Sequence, residues 1–217
     1  MTKRVVKLTP LLDSMIKFRI APLALLSLLM APNVWAQSAY VMTEADYNVL
    51  HAGKALTHVW RDKSRKDKAL DVFGAIDVMA KPETIWALMT DCSRGMEIVK
   101  GMESCKVLET SEDGSDIRQQ IFDMGPFLPN AKTEFRSEYE LNRRIKIRRT
   151  GGDLKIQDAL WEITPLTKYI TRVSYRGTIK LKFPVPPGLI KNATRKDTPQ
   201  IMRNLRRVAE NDENSVL

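Results

Sequence analysis

Histidine is nearly absent. The 217 residues contain only His51 and His58, and both precede the strand-rich body of the chain. A hydrolytic triad needs a histidine beside a nucleophile, and neither has an evident one. The patterns GxSxG, GxGxxG, the P-loop and HExxH are missing too. Their absence removes the common serine-hydrolase, dinucleotide, nucleoside-triphosphate and zinc-protease readings. A zinc site takes at least three protein ligands, so two histidines do not complete one. No pair of carboxylates is assignable as acid and base from spacing, and Asp77, Asp123 and Asp158 would point inward only through a β-bulge. The residues therefore name no catalytic group, no metal ligand and no cofactor.

Cysteine is equally scarce, with Cys92 and Cys105 the only two. Their spacing is not CxxC, which excludes a thioredoxin-like redox motif. Long apolar runs are also lacking, since a membrane-spanning helix takes about 20 residues. The longest run, Ile20 to Met30, follows Lys17 and Arg19, is broken by Pro22, and leads through Pro32 to Val34 and Ala36. A positive segment, an apolar core and small residues ahead of Gln37 predict a secretory signal cleaved after Ala36. An uncleaved anchor is the other reading. Both cysteines then lie in the exported part. An even count in an oxidising compartment favours a disulfide between them, with two buried free thiols as the alternative.

A strong charge of one sign is missing as well. Residues 1–36 carry Lys3, Arg4, Lys7, Lys17 and Arg19 against Asp13, and their removal leaves 30 basic and 25 acidic residues, a net charge of +5. That excess permits transient contact with an anionic membrane surface and argues against nucleic acid as the partner. No repeat or low-complexity tract appears, and the remaining length suits one domain.

What is present is a change of period along the chain. Thr43 to Leu56 reads as a short helix capped by Thr43. Arg61 to Lys68, "RDKSRKDK", is a solvated charged stretch. "DVFGAIDVM" places Val72, Gly74, Ile76 and Val78 on one face of a strand. Pro82 then opens an amphipathic helix to Thr90 with the stripe Ile85, Leu88 and Met89. A second short helical piece carries Met96, Ile98 and Val99. From Ser104 onward strands and short turns alternate, and "KTEFRSEYEL" sets Thr133, Phe135, Ser137, Tyr139 and Leu141 on one face. Two basic stripes arise, Arg144, Lys146 and Arg148 on one strand and Arg172, Arg176 and Lys180 on another. Glu138 and Glu140 offer cross-strand partners to the first; the second has no acidic neighbour nameable from sequence. "FPVPPG" ends the strands. Leu189 to Asn211 reads as a final helix, with Pro199 expected to kink or restart it.

This layout resembles the START-like superfamily, the group of polyketide cyclases, lipid-transfer domains and coenzyme Q-binding proteins. The resemblance rests on Pro82 with Ile85-Trp86 and Asp91, on "GDLKIQDALWEITPL", and on "FPVPPGLI" before the last helix, and it covers about residues 69–211. It implies an α+β helix-grip fold: a curved antiparallel sheet of six or seven strands around a long C-terminal helix, with two short helices at a cavity mouth. The implied organisation is a signal peptide (1–36), an N-terminal helix and charged linker (37–68), the START-like domain (69–212) and a tail (213–217). The implied function is a periplasmic, monomeric carrier or chaperone of an apolar small molecule such as a lipid or isoprenoid quinone. A cyclase- or hydrolase-type enzyme and a non-ligand interaction module are the alternatives. The cavity is expected to be lined by Phe135, Tyr139, Val173, Tyr175, Leu189, Ile190, Ala193 and Ile201, with Trp86 and Ile98 near its lid.

Overall fold

The structure is a computed structural model that describes residues 40–125, 129–182 and 186–216. The expected signal segment, the middle of the "GPFLPN" loop, the start of "FPVPPG" and Leu217 lie outside the described residues. The chain forms α1 (Glu44–His51), β1 (Leu56–Trp60), β2 (Leu70–Val78), α2 (Pro82–Thr90), a 3₁₀ turn (Cys92–Arg94) and α3 (Gly95–Ile98). There follow β3 (Met102–Thr110), β4 (Asp116–Phe122), β5 (Ala131–Glu140), β6 (Arg144–Gly152), β7 (Leu154–Pro165), β8 (Thr171–Leu181) and α4 (Pro187–Val216).

The eight strands make one antiparallel sheet in the order β1-β2-β8-β7-β6-β5-β4-β3. After β2 the chain crosses by α2 and α3 to the opposite edge. It then returns strand by strand until β8 pairs with β2, Val173 opposite Ile76 and Gly177 opposite Val72. The sheet is curved and unclosed, with α4 in its grip, which is the expected helix-grip class. It has one strand more than the sequence suggested. Leu56–Trp60 lies at the edge of the sheet, paired with β2 from Leu56↔Ala75 to Trp60↔Asp71. The helix before it stops at His51 because Gly53 takes φ +69°, a left-handed backbone that breaks the helical ladder.

Strand β2 is buried on both faces, as its near-continuous apolar run requires. Val72, Gly74, Ile76 and Val78 face α4. Phe73 and Ala75 face the other way, packed with Leu50 of α1 and Leu56. Helix α1 is held there by Asp46, a buried carboxylate that accepts hydrogen bonds from the Tyr40 hydroxyl (2.6 Å), the Thr43 backbone N–H (2.8 Å) and His58 Nε2 (2.8 Å). Burial pushes this carboxyl up, but those hydrogen bonds outweigh it and hold the group well below the usual carboxylate range.

Helix α4 comes close to the sheet over Gly74. A Cβ there would lie 2.8 Å from Met202 Cε and 3.0 Å from Thr198 Cγ2, so the strand glycine serves close helix–sheet approach. Pro199 sits inside α4, yet the helix runs unbroken across it from 187 to 216. The expected restart does not occur. Pro199 lacks one backbone N–H, and the burial of Met202, Leu205, Val208 and Ala209 against the sheet holds the helix through that point.

Cys92 and Cys105 form a disulfide with Cα atoms 5.5 Å apart, tying the 3₁₀ turn to β3. Arg144, Lys146 and Arg148 pair with Glu138, Glu140 and Glu162. The second basic stripe has partners that the sequence did not reveal. Arg172 grips Asp77 with two hydrogen bonds of 2.7 and 2.8 Å, and Arg176 pairs with Glu162. Asp77 thus points away from the concave face, with no bulge turning it inward. Leu141 also leaves the face that alternation gave it: β5 ends at Glu140, and Leu141 enters the turn 73% exposed.

Candidate functional site: an apolar cavity between the sheet and the last helix

The concave face of the sheet is filled at one end and open at the other. At the filled end, α2 contributes Ile85 and Leu88 and α3 contributes Ile98. They pack with Ile76, Val78, Ile163 and Val173 of the sheet and with Leu205, Val208 and Ala209 of α4. Alternation brings a polar set to the same end. Asp116 and Arg118 on β4 and Tyr139 on β5 all face inward. Arg118 Nε donates to both carboxylate oxygens of Asp116 (3.1 and 3.0 Å), its Nη2 donates to the Thr90 carbonyl (2.7 Å), and the Tyr139 hydroxyl donates to Asp116 (2.8 Å). Burial pushes the Tyr139 phenol up to about 12. Trp86 meets the Tyr139 ring edge-on at 5.9 Å. This buried ion pair therefore anchors the end of α2 to the sheet.

Toward the other end of the strands the helices no longer fill the concavity, and a cavity of about 570 Å³ remains. That is within the range of small-molecule sites. Leu70 and Val72 of β2 with Tyr175, Ile179 and Leu181 of β8 form one wall. Phe122, Ala131, Phe135 and Ile147 form the opposite wall, and Leu154, Gln157 and Trp161 of β7 lie between them. Val99 and Met102, on either side of the Lys100-Gly101 turn between α3 and β3, close one side, and Ile190, Ala193, Ile201 and Met202 of α4 cover the top. The exposed lining residues are Arg61, Lys68, Ala193 and Asp197, which mark the opening. Lys180 lines it as well and donates to the Asp67 carbonyl.

Of the residues picked out from the sequence, the structure brings Phe135, Tyr175, Ile190, Ala193 and Ile201 together around this cavity. The other five lie elsewhere. Trp86, Tyr139, Ile98 and Val173 belong to the filled end, where Ile98 and Val173 are buried to 7% and 0%. Leu189 is one position from Ile190, about 100° around the helix, and is 49% exposed. No residue of α2 lines the cavity, while residues flanking α3 do. Sequence reasoning missed Phe122, Trp161 and Leu154. Alternation with Gln120 on β4 marked Phe122, and alternation with Gln157 and Ala159 on β7 marked Trp161; Leu154 is out of phase with those positions and joins them only through the register shift between Leu154 and Ile156.

Three polar groups of the lining residues have no hydrogen-bond partner among the described residues. Thr133 is 4% exposed, and its Oγ1 makes no hydrogen bond; Gln157 Oε1 is likewise buried and unpaired. Leaving such a group unsatisfied costs about 1–3 kcal/mol. The Tyr175 hydroxyl also has no hydrogen-bond partner among the described residues, and burial pushes it up to about 12, so it is a protonated donor at neutral pH. Its ring packs on Trp161 at 4.7 Å.

Residues 78–206 match the sequence profile described as polyketide cyclase / dehydrase and lipid transport. The chain belongs to that family. The match spans strand β2's end to the packed half of α4, so it contains most of the filled end and most of the cavity wall. No curated protein matches the chain in sequence. Among solved structures, this family member resembles the lipid transfer and protein localization domain of human StarD13, at 12% identity and a TM-score of 0.60, covering 78% of this chain and 98% of that one. It resembles a STAR-related lipid transfer protein from Xanthomonas axonopodis at 13% identity and a TM-score of 0.59, covering 71% and 93%. It also resembles the Zhui aromatase/cyclase from Streptomyces at 14% identity and a TM-score of 0.56, covering 68% and 95%. At such identities the likeness is one of fold, and fold leaves the activity open.

Proposed function

We propose that this protein is an exported carrier that holds an apolar ligand, a lipid or isoprenoid quinone, in the cavity between its sheet and α4. The observation that carries the reading is the cavity itself: about 570 Å³ with predominantly apolar walls, open at one end and backed by a packed core at the other. Ten methylenes moved from water into such a space, at about 0.8 kcal/mol each, give roughly the 8 kcal/mol of a micromolar complex before ordering costs. Export rests on the signal-like residues 1–36, and the bacterial periplasm is the compartment they point to. The net positive charge of the exported part favours brief contact with an anionic membrane during loading.

Native mass spectrometry of protein purified from the periplasm tests this. The expected result is a co-purifying apolar species released by organic solvent. Protein that emerges empty and fails to take up a fluorescent fatty acyl probe sinks the reading. The cyclase-type alternative draws on the fold shared with Zhui and on the polar groups in the cavity wall. Turnover of an added aromatic polyketide precursor would favour it over a carrier, which returns its ligand unchanged.

A further inference from the structure

We infer that the outer edge of β1 is a docking site for an extended, acidic segment of a partner protein, which adds to the sheet as a further strand beside the cavity mouth. The inference goes beyond the carrier reading and stands whether or not the cavity holds a lipid.

Strand β1 ends the sheet and pairs with β2 alone among the described residues. Alternate residues of an edge strand turn both N–H and C=O outward, and proteins usually blunt such an edge with bulges, charges or proline. The opposite edge strand, β3, is blunted in this way. Its register shifts between Met102 and Ser104 and between Val107 and Glu109, and it carries Glu103, Lys106 and Glu109. By contrast, β1 keeps one register from Leu56 to Trp60 and has no proline, lysine, arginine or carboxylate. A hollow of about 390 Å³ lies against it, lined by Tyr40, Thr57, His58, Val59, Trp60 and Arg195. Side chains alternate along a strand, so these β1 residues come from both of its faces. The hollow therefore follows the edge of the strand and not either face.

One side of the hollow is an aromatic ledge. The Tyr40 ring stacks on His58 at 4.6 Å and on Phe73 at 4.7 Å, and the hydrogen bond of 2.8 Å to Asp46 fixes the imidazole. The other side is α4. Arg206 donates to the Gly53 carbonyl just before β1 (2.7 Å). Arg195, three helical turns earlier, lies within about 20° of Arg206 around the helix, so this face of α4 looks onto the edge. Arg195 is exposed and makes no hydrogen bond or ion pair among the described residues. The segments 37–39, 126–128 and 183–185 contain no carboxylate side chain that could serve it. An anionic lipid answers the arginine but not a row of backbone donors and acceptors spaced about 7 Å apart; an extended peptide answers both. Its carboxylates on the α4 side meet Arg195, and its apolar side chains on the other side lie on the ledge. Arg61, directly after Trp60, and Thr194, directly before Arg195, line the main cavity, so a partner seated here stands at its mouth.

Two blocked seven-residue peptides test this by NMR titration and amide hydrogen exchange of the exported protein. One alternates valine with glutamate, the other valine with lysine. In the free monomer the outward amides of β1 are expected to exchange fast, and the glutamate peptide should slow them by about tenfold or more. It should also bind about tenfold more tightly than the lysine peptide. Arg195→Glu, at an exposed helix position, should reverse that preference, and N-methylation of all the peptide amides should abolish binding. Outward amides already protected in the free monomer mean that the chain itself covers the edge. Protection that appears together with a dimer in sedimentation means that a second copy covers it. Either result overturns the inference. So does a failure to bind at millimolar peptide, binding that shifts residues away from β1, a preference for glutamate that survives in Arg195→Glu, or a methylated peptide that still binds.

Discussion

Leu205 and Val208 in the second half of α4 are exposed by only 1% and 3%, and they pack with Val173 and Ile76 of the sheet and Ile85 of α2. Ile190 and Ala193 in the first half sit on the same helix and look toward the same sheet, yet they cover a cavity, and Ala193 is exposed. The apolar stripe continues into the first half but thins there, with Thr194, Asp197 and Thr198 beside Ile190 and Ala193. The third layer differs too. Helices α2 and α3 complete the packing around the second half, and nothing among the described residues does so around the first. The same amphipathic helix therefore acts as core at one end and as a cavity roof at the other.

The contrast can be broken hardest at the filled end. Replacing Arg118 by methionine leaves Asp116 as a buried carboxylate without its cation, and removing one partner of a buried pair costs about 3–5 kcal/mol. Urea unfolding should show that loss, and the double variant Asp116→Leu/Arg118→Met should recover most of it. A single variant as stable as wild type would mean the pair does not hold α2 to the sheet.

Leu205→Ala removes a side chain from the centre of the packed half and should cost about 2–5 kcal/mol in the same measurement. The smallest stability effect belongs to the roof. Ala193→Trp at the opening should change stability by less than about 1 kcal/mol, because the new ring enters space that is not packed, while lowering uptake of a fluorescent lipid at least tenfold. Binding that persists at the wild-type level would place the ligand somewhere other than under α4. A stability loss as large as that of Leu205→Ala would show the two halves to be alike after all.

Much of this division was written in the residues. Alternation along "KTEFRSEYEL" put Thr133 and Phe135 on the buried face, and the stripe Ile85, Leu88 and Met89 after Pro82 defined α2. The edge strand β1 escaped notice because "LTHVW" is five residues long, follows a helix and adjoins a charged stretch, so no period had room to show. The acidic partners of Arg172 and Arg176 escaped for another reason. Asp77 is 95 residues away in sequence from Arg172, and only the closure of β8 onto β2 brings them together.

The sequence by itself determined which face of each strand and helix is apolar, because side-chain direction follows local backbone period. It determined that Cys92 and Cys105 had only each other to pair with, and that the chain carries no recognised catalytic motif. Only the tertiary structure decided which inward-facing residues are core and which line a cavity. Val173 and Tyr175 differ by two positions on one face of β8; the first lies within the cluster that α2 completes, and the second packs on the edge of that cluster and lines the cavity. Period fixes direction, but whether a side chain meets another side chain or an open space depends on where distant helices come to rest.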